Sequence, residues 1–191
     1  MYDAVPDPYC YAGTDVLRNI PGLREQSLLD VFETASTTQR AEEPLPRGRL
    51  SIRQYQAIHR HLFQDVYPWA GRFIVRLAKE GSAFCYPENI SREVRELFSE
   101  LKARKFFVRL SDRAFAAEAV HFLATLNAIH PFREGNGRTQ IGFLLNLADN
   151  AGHPIDLERL DPQSFLNAMM VSFFGDELPL ASEIRRLISN R

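Results

Sequence analysis

The arrangement of this chain depends on one segment, 130-HPFREGNGR-138. Apolar residues recur at helical spacing on both sides of the segment, so it joins two long helices. The first of these helices begins near Asp112, which would cap it, and ends at His130, because the residue before a proline is pushed out of helical geometry. The second begins near Gly137 and stops at Gly152. The nine residues therefore form a short loop between two helices.

Helical periodicity recurs along most of the remaining chain. Ser51 is a typical N-cap for a helix that stops before Pro68, and residues 35–48 lose all periodicity and gather proline and charge, which predicts a loop. The predicted helices cover residues 14–34, 51–67, 87–106, 112–130, 137–150, 162–174 and 179–189.

Residues 72–86 differ from the helical segments. β-Branched and aromatic residues flank the turn-forming run 79-KEGS-82, which is typical of two short strands joined by a glycine-containing turn. The sequence therefore predicts a mainly α fold, a helical bundle with one β-hairpin.

Length and composition indicate one globular domain. The chain has 191 residues, a formal net charge of -1 and 45% hydrophobic residues. We expect a single domain over residues 1–191, with an irregular N-terminal part (1–50), a core (51–174) and a C-terminal helix (179–189). The near-zero charge argues against nucleic-acid binding and against binding to a membrane surface.

Cysteine content and the N-terminal sequence bear on localisation. Cys10 and Cys85 are too few for a disulfide scaffold and lack zinc-site spacing, so free thiols in a reducing compartment are expected. The N-terminal residues lack the features of a signal peptide, and no apolar run approaches the ~18 residues of a membrane span. We therefore expect a cytoplasmic protein that does not span a membrane.

The loop carries residues suited to binding phosphate. Gly135, Asn136 and Gly137 allow successive backbone N–H groups to converge where a helix begins, and the positive end of the helix dipole favours an anion there. Arg138 adds a charged donor for a phosphate oxygen. The alternative interpretation is an ordinary turn followed by a surface helix.

Two further loop residues are suited to phosphoryl chemistry. His130 can accept a proton near neutral pH, and Glu134 offers a hard oxygen ligand for Mg²⁺. Together with the amides and Arg138 they fit transfer of a phosphorus-centred group to a hydroxyl. The alternatives are a structural helix-end histidine at His130 and a surface ion pair between Glu134 and Arg138.

The segment 130–138 resembles the signature of the Fic family, His-x-Phe-x-(Asp/Glu)-Gly-Asn-Gly-Arg-x-x-Arg. The stretches 11-YAGTDVLRN-19, 67-YPWAGRF-73 and 84-FCYPENI-90 extend the resemblance over nearly the whole chain. The resemblance implies a Fic-like helical bundle with one β-hairpin flap near the active site. It also implies a protein adenylyltransferase, which uses Mg²⁺ and transfers AMP from ATP to a Ser, Thr or Tyr hydroxyl of a target protein.

The resemblance also implies a role for each loop residue. His130 is the general base, and Phe132 anchors the loop in the core. Glu134 holds Mg²⁺, residues 135–137 form the anion cradle, and Arg138 binds the outer phosphates.

The predicted hairpin, residues 72–86, corresponds by the same resemblance to the family's flap. A target protein segment would add to its exposed edge through backbone hydrogen bonds. Lys79 and Glu80 lie at its turn, where they either meet the nucleotide or remain a solvated pair.

Ile141 departs from the family pattern, which has a second arginine at this position. The residue fits an apolar stripe with Leu144, Leu145 and Ala148 and should face the core. Loss of one charge-assisted contact should weaken outer-phosphate binding by roughly 1.5 to 3 kcal/mol, about 10- to 100-fold. Two alternatives therefore stay open: phosphoryl or other nucleotidyl transfer, and a non-catalytic interaction module.

Regulation follows from the same departure. In the family an inhibitory helix with the pattern (Ser/Thr)-x-x-x-Glu-(Gly/Asn) pairs with the second arginine. Residues 38–42 fit its first five positions, but Glu43 follows and the segment lies in the predicted loop. We therefore expect either control by a separate antitoxin-like protein or escape from this inhibition. Three roles stay open: a toxin in the bacterial cytosol, an effector in a host cell and a housekeeping regulator.

Four other histidines, His59, His61, His121 and His153, lack metal-ligand spacing and are interpreted as core or surface residues.

Overall fold

The computed structural model describes residues 7–74 and 85–188 of the chain. These residues form seven α-helices and two short 3₁₀ turns, at Lys105–Phe107 and Leu157–Arg159. The prediction of a mainly helical fold is confirmed. In chain order the helices are α1 (Gln26–Glu42), α2 (Ile52–Phe63), α3 (Pro87–Ala103), α4 (Asp112–Ile129), α5 (Asn136–Ala151), α6 (Pro162–Phe173) and α7 (Leu178–Leu187).

The two long helices on either side of the segment 130–138 form as predicted, with one correction at the cap. Ser111, not Asp112, caps α4, because its side-chain oxygen accepts a hydrogen bond from the amide of Ala114 at 3.4 Å. Asp112 lies in the first turn instead, where a carboxylate suits the helix dipole. α5 ends at Ala151 and is followed by Gly152, whose φ of 88° is the left-handed conformation that glycine adopts readily.

Helices α4 and α5 lie at the centre of one hydrophobic core. Helix α4 packs against α3, α6 and α7, and α5 packs against α2 and α4. Phe98, Phe122 and Phe143, from α3, α4 and α5, pack with ring centroids 5.3–5.7 Å apart. The loop between α4 and α5 therefore joins the two helices at the centre of the core.

Helix α1 does not follow the prediction of a helix over 14–34 and a loop over 35–48. It begins at Gln26 and continues to Glu42. The side chain of Asn19 bonds the backbone of Leu17 and Leu23 at 2.7–2.8 Å, which fixes a turn before the helix. The second half of α1 lacks an apolar stripe and makes polar contacts instead, including the Arg40–Asp65 ion pair at 2.6 Å.

The predicted hairpin cannot be compared with the structure, because residues 75–84 lie outside the described residues. The segment that leads to it, up to Ile74, lies beside the 130–138 loop, since the amide of Ile74 donates to the carbonyl of Pro131 at 2.9 Å. None of the helices in residues 7–74 and 85–188 has the length and apolar character needed to cross a membrane.

Candidate active site

His130 closes α4 in a left-handed backbone conformation. Its φ and ψ are 50° and 59°, values that are uncommon for residues other than glycine and that concentrate at functional sites. The ring is half-buried, and this burial lowers the pKa of His130 more than a hydrogen bond to the Asn127 backbone raises it. The imidazole is therefore uncharged at neutral pH and can accept a proton.

The loop after His130 is fixed from within by Phe132 and Asn136. Phe132 is fully buried, with its ring centroid 3.8 Å from that of His59 and 5.2 Å from that of Tyr55. The Asn136 side chain accepts a hydrogen bond from the Phe132 amide at 2.9 Å and donates one to the Phe132 carbonyl at 2.7 Å. The Asn136 side chain thus stabilises the turn. Because both of its polar atoms are bonded to Phe132, only the backbone amide of Asn136 is left to bind an anion.

Gly135 and Gly137 differ in what surrounds them. Gly135 has a φ of 80°, and a Cβ at this position would lie 2.2 Å from the ring of Phe63, so only glycine fits. Among the described residues, no atom outside the neighbouring residues and the backbone of α5 itself lies within 4 Å of the place that a Cβ on Gly137 would take. The first turn of α5 therefore has an open side, and its amides have no acceptor within the helix. Such a helix N-terminus favours an anion.

Glu134 already places a negative oxygen at this N-terminus. The amide of Gly135 donates to its carboxylate at 2.8 Å, and the carboxylate lies 3.5 Å from the guanidinium of Arg138. The Glu134 side chain is 42% exposed, so it can turn toward an incoming ligand.

Arg138 is held by helix α1. Its guanidinium pairs with Glu33 at 2.5 Å, donates to the hydroxyl of Thr37 at 3.2 Å and lies 4.6 Å from the ring centroid of Phe63. The hydroxyl of Tyr67 donates to the other oxygen of Glu33. Burial, followed by the Glu33 carboxylate, raises the pKa of Tyr67 and keeps it a donor. The arginine thus stands in a defined position beside the open turn.

His59 is a second histidine at the site, and it is fully buried. Its Nδ1 accepts a hydrogen bond from the amide of Gly71 at 2.8 Å, and its Nε2 lies 3.0 Å from the carbonyl oxygen of Glu134. Burial is the main cause that lowers the pKa of His59 to about 4, so the ring is neutral.

Sequence reasoning missed His59, Glu33, Thr37 and Tyr67. A histidine on the apolar stripe of α2 was one available signal, because a buried ring nitrogen needs a polar partner. Glu33 and Thr37 gave no signal, since they meet Arg138 only once α1 packs against the loop. Tyr67 belongs to the quoted segment 67–73, but no role was derived for it.

Ile141 packs against the hydrophobic core, in line with the prediction, but it stays half-buried, as does Leu145. Leu144 and Ala148 of the predicted stripe are buried, and Phe143 and Leu147 add to the buried face of α5. The position of Ile141, three residues after Arg138, is one turn further along α5.

Two predicted site residues, Lys79 and Glu80, lie outside the described residues. Within residues 7–74 and 85–188, no three His, Cys, Asp or Glu side chains are grouped so that they could hold a metal ion by themselves. Both cysteines are free, Cys10 buried and Cys85 half-buried.

Comparisons with known proteins identify the family of this chain. A model of the Fic/DOC family matches residues 49–148. The chain is 54% identical over 189 residues to the probable protein adenylyltransferase y4lH of Sinorhizobium fredii, with 98% of each protein covered. It is 34% identical over 190 residues to the protein adenylyltransferase VbhT of Bartonella schoenbuchensis, and the match covers 97% of this chain but 40% of VbhT.

The fold has similar solved structures. One is the N-terminal Fic domain of a VirB-translocated Bep effector protein from Bartonella quintana, which was crystallised with bound ADP. It matches with a TM-score of 0.84 and 25% identity over 96% of this chain and 95% of that one. The fold, the 130–138 loop and these similarities together show that the chain belongs to the Fic/DOC family.

Proposed function

We propose that this chain transfers AMP from ATP to a Ser, Thr or Tyr hydroxyl of a target protein. The observation that carries the proposal is the 130–138 loop, with the uncharged ring of His130 at one end and the open first turn of α5 at the other. The names of the relatives, protein adenylyltransferases at 54% and 34% identity, support the same reaction.

His130 takes the proton of the target hydroxyl as its oxygen attacks the α-phosphorus of ATP. The new phosphorus–oxygen bond forms while the bond from the α-phosphorus to the oxygen bridging it to the β-phosphorus breaks, and pyrophosphate leaves. The backbone amides of residues 135–137 hold the phosphates, and Arg138 binds the outer ones.

Glu134 is the residue that would hold Mg²⁺. Its partly exposed carboxylate is a hard oxygen ligand of the kind that Mg²⁺ prefers, and a single protein carboxylate suits an ion that also binds nucleotide phosphates. When bound, Mg²⁺ would neutralise part of the negative charge of the phosphates.

A target protein docks, in this proposal, along residues 72–86 by adding a strand to an exposed edge. The hydrogen bond from Ile74 to Pro131 supports this arrangement, because it sets the start of the segment beside the loop that carries His130. Lys79 and Glu80 at its turn are proposed contacts to the nucleotide.

Control is proposed to come from a separate small antitoxin-like protein, which acts with this chain in the bacterial cytosol. Thr38 and Glu42, the pattern positions of an inhibitory segment, lie exposed on α1, whereas Glu33 and Thr37 are the α1 residues that contact Arg138. Copurification from the native host tests this. A partner whose removal raises the activity is expected, and purification without any such partner would contradict it.

The transfer itself is tested by incubating the protein with Mg²⁺, lysate and ATP labelled at the α-phosphate. We expect label on a protein hydroxyl, located by mass spectrometry, and its loss in His130→Ala. His121→Ala, which changes an exposed histidine of α4, is the matched control and should label normally. The proposal would be wrong if no protein in the lysate carries label from the α-phosphate.

Phosphoryl transfer is the second candidate, favoured by Ile141 in place of an arginine. It predicts label from the γ-phosphate and none from the α-phosphate. A catalytically inactive interaction module predicts no label from either position and a partner that still binds the His130→Ala variant.

A further inference from the structure

His59 lies outside the 130–138 loop, yet it contacts the backbone of that loop directly. Its ring is fully buried on α2, stacked against Phe132 at a centroid distance of 3.8 Å and against Phe63 at 4.7 Å. The ring therefore cannot turn without displacing two aromatic neighbours.

The hydrogen bonds of His59 define which ring nitrogen carries the proton. The backbone amide of Gly71 can only donate, so Nδ1, 2.8 Å away, is the acceptor and carries no proton. The proton of the neutral ring is then on Nε2, which donates to the carbonyl oxygen of Glu134 at 3.0 Å. One ring thus bonds two backbone groups, the Gly71 amide and the Glu134 carbonyl, which are 63 residues apart in the sequence.

The bond to Glu134 has a consequence on the other side of the same peptide. In a planar trans peptide the carbonyl oxygen and the following N–H point in opposite directions. With the Glu134 carbonyl directed at His59, the amide of Gly135 is directed away from α2, where it now donates to the Glu134 carboxylate. That amide is the first donor of the proposed anion cradle.

The bond to Gly71 acts on a different part of the site. Gly71 lies where the chain leaves α2 and its following turn for the predicted flap, and a Cβ at this position would lie 3.0 Å from the carbonyl oxygen of Gln56. Three residues later Ile74 bonds to Pro131. His59 therefore holds the start of the flap segment and the phosphate-binding loop in one relative position.

We infer that His59 is a positioning residue: its Nε2–H aims the Gly135 amide at the nucleotide phosphates, and its Nδ1 fixes the base of the flap through Gly71. The inference rests on the proposed function for the identity of the ligand. It goes beyond that function because it assigns separate tasks to the two nitrogens of a residue that touches neither nucleotide nor target.

Two substitutions separate these tasks. The amide nitrogen of glutamine can take the place of Nε2 and donate to Glu134, and the side-chain oxygen of asparagine can take the place of Nδ1 and accept from Gly71. His59→Phe keeps the stacking and removes both bonds. His61→Asn on the same helix is the matched control, because His61 bonds to the Arg40 carbonyl and not to the loop.

The first measurement is the affinity for Mg²⁺–ADP by calorimetry. We expect His59→Gln and His61→Asn to bind as the wild type does, and His59→Asn and His59→Phe to bind about tenfold more weakly, the effect of losing one aligned hydrogen bond. In label transfer, KM for ATP should rise by a similar factor in His59→Asn and His59→Phe with kcat nearly unchanged, because a ground-state contact is lost. A variant that is merely less folded would lower kcat instead.

The second measurement is hydrogen exchange at the Gly71 amide, followed by NMR. Protection should persist in the wild type and in His59→Asn and should be lost in His59→Gln and His59→Phe. The inference is overturned if His59→Phe binds Mg²⁺–ADP like the wild type, or if the asparagine and glutamine variants have the same effect on both measurements.

The two failures can be told apart. If the wild type binds Mg²⁺–ADP but transfers no α-label, the proposed function fails and the role of His59 in the cradle stands or falls on binding alone. If the wild type transfers α-label and the His59 variants keep its ADP affinity, only the present inference fails.

Discussion

Among single residues, His130 has the environment that bears most directly on the reaction. Because burial lowers the pKa of His130, the proposed base stays unprotonated down to lower pH than an exposed histidine would. We expect kcat for AMP transfer to be constant from pH 8 to about 6.5, the ordinary histidine pKa, and to fall only below it. Measurement of kcat against pH at saturating ATP checks this, and a decline that begins above pH 7 would contradict it.

Gly135 and Gly137 make a matched pair for testing the loop geometry. Gly135→Ala should lower the free energy of unfolding by about 3 kcal/mol, since its Cβ would overlap the Phe63 ring at a positive φ. Gly137→Ala should keep or raise stability by about 0.5 kcal/mol, because the position is helical and open. Urea unfolding measures the free energy of unfolding of both variants. Equal destabilisation would contradict the difference in surroundings described for the two glycines.

Among the helices, those with an apolar stripe were predictable and α1 was not. Helices α2 to α7 were predicted to within a few residues from Ser51, Gly152 and the spacing of apolar residues. A helix that buries one face must carry apolar residues at helical spacing, and this spacing is visible in the sequence. Helix α1 buries only Leu29 and Thr37 and depends on ion pairs with other segments, which leave no periodic signal.

The candidate site divides in the same way. The 130–138 loop could be predicted because its residue types are contiguous and each has a chemical reason. Glu33 and His59 could not be assigned roles, since their partners are brought to them by packing between helices.

Helix α5 offers a test of the departure at Ile141. Ile141→Arg should tighten ATP binding by about tenfold, because the half-buried position lies one turn beyond Arg138 and a guanidinium there can reach the outer phosphates. Leu145→Arg, a half-buried position one further turn along α5, is the control and should leave ATP affinity unchanged. Equal effects of both substitutions would indicate a general charge effect rather than a specific contact.

In residues 7–74 and 85–188, buried hydrophobic residues form one cluster that extends from Cys10 to Ile188. Trp69, the single tryptophan, reports on the site region, because its ring lies 4.4 Å from that of Tyr67 and 5.8 Å from that of His59. Urea unfolding followed by Trp69 fluorescence and by helical circular dichroism should therefore give coincident transitions.

A substitution far from the site provides a second test of whether the chain unfolds in one transition. Leu180→Ala, at a fully buried position of α7, should shift both transitions equally and lower stability by about 2–5 kcal/mol. Two separate transitions would show that the chain holds more than one folding unit.

The carboxylate that rests on the Gly135 amide also bears on selectivity. A bare anion such as inorganic phosphate must displace the Glu134 carboxylate from the Gly135 amide. It then lies next to that negative charge, which weakens its binding further. A polyphosphate that arrives with a divalent cation gives the displaced carboxylate a positive neighbour at the moment it leaves. In the proposed reaction, the Glu134 carboxylate therefore disfavours simple anions at the N-terminus of α5 and favours a nucleotide that carries a divalent cation.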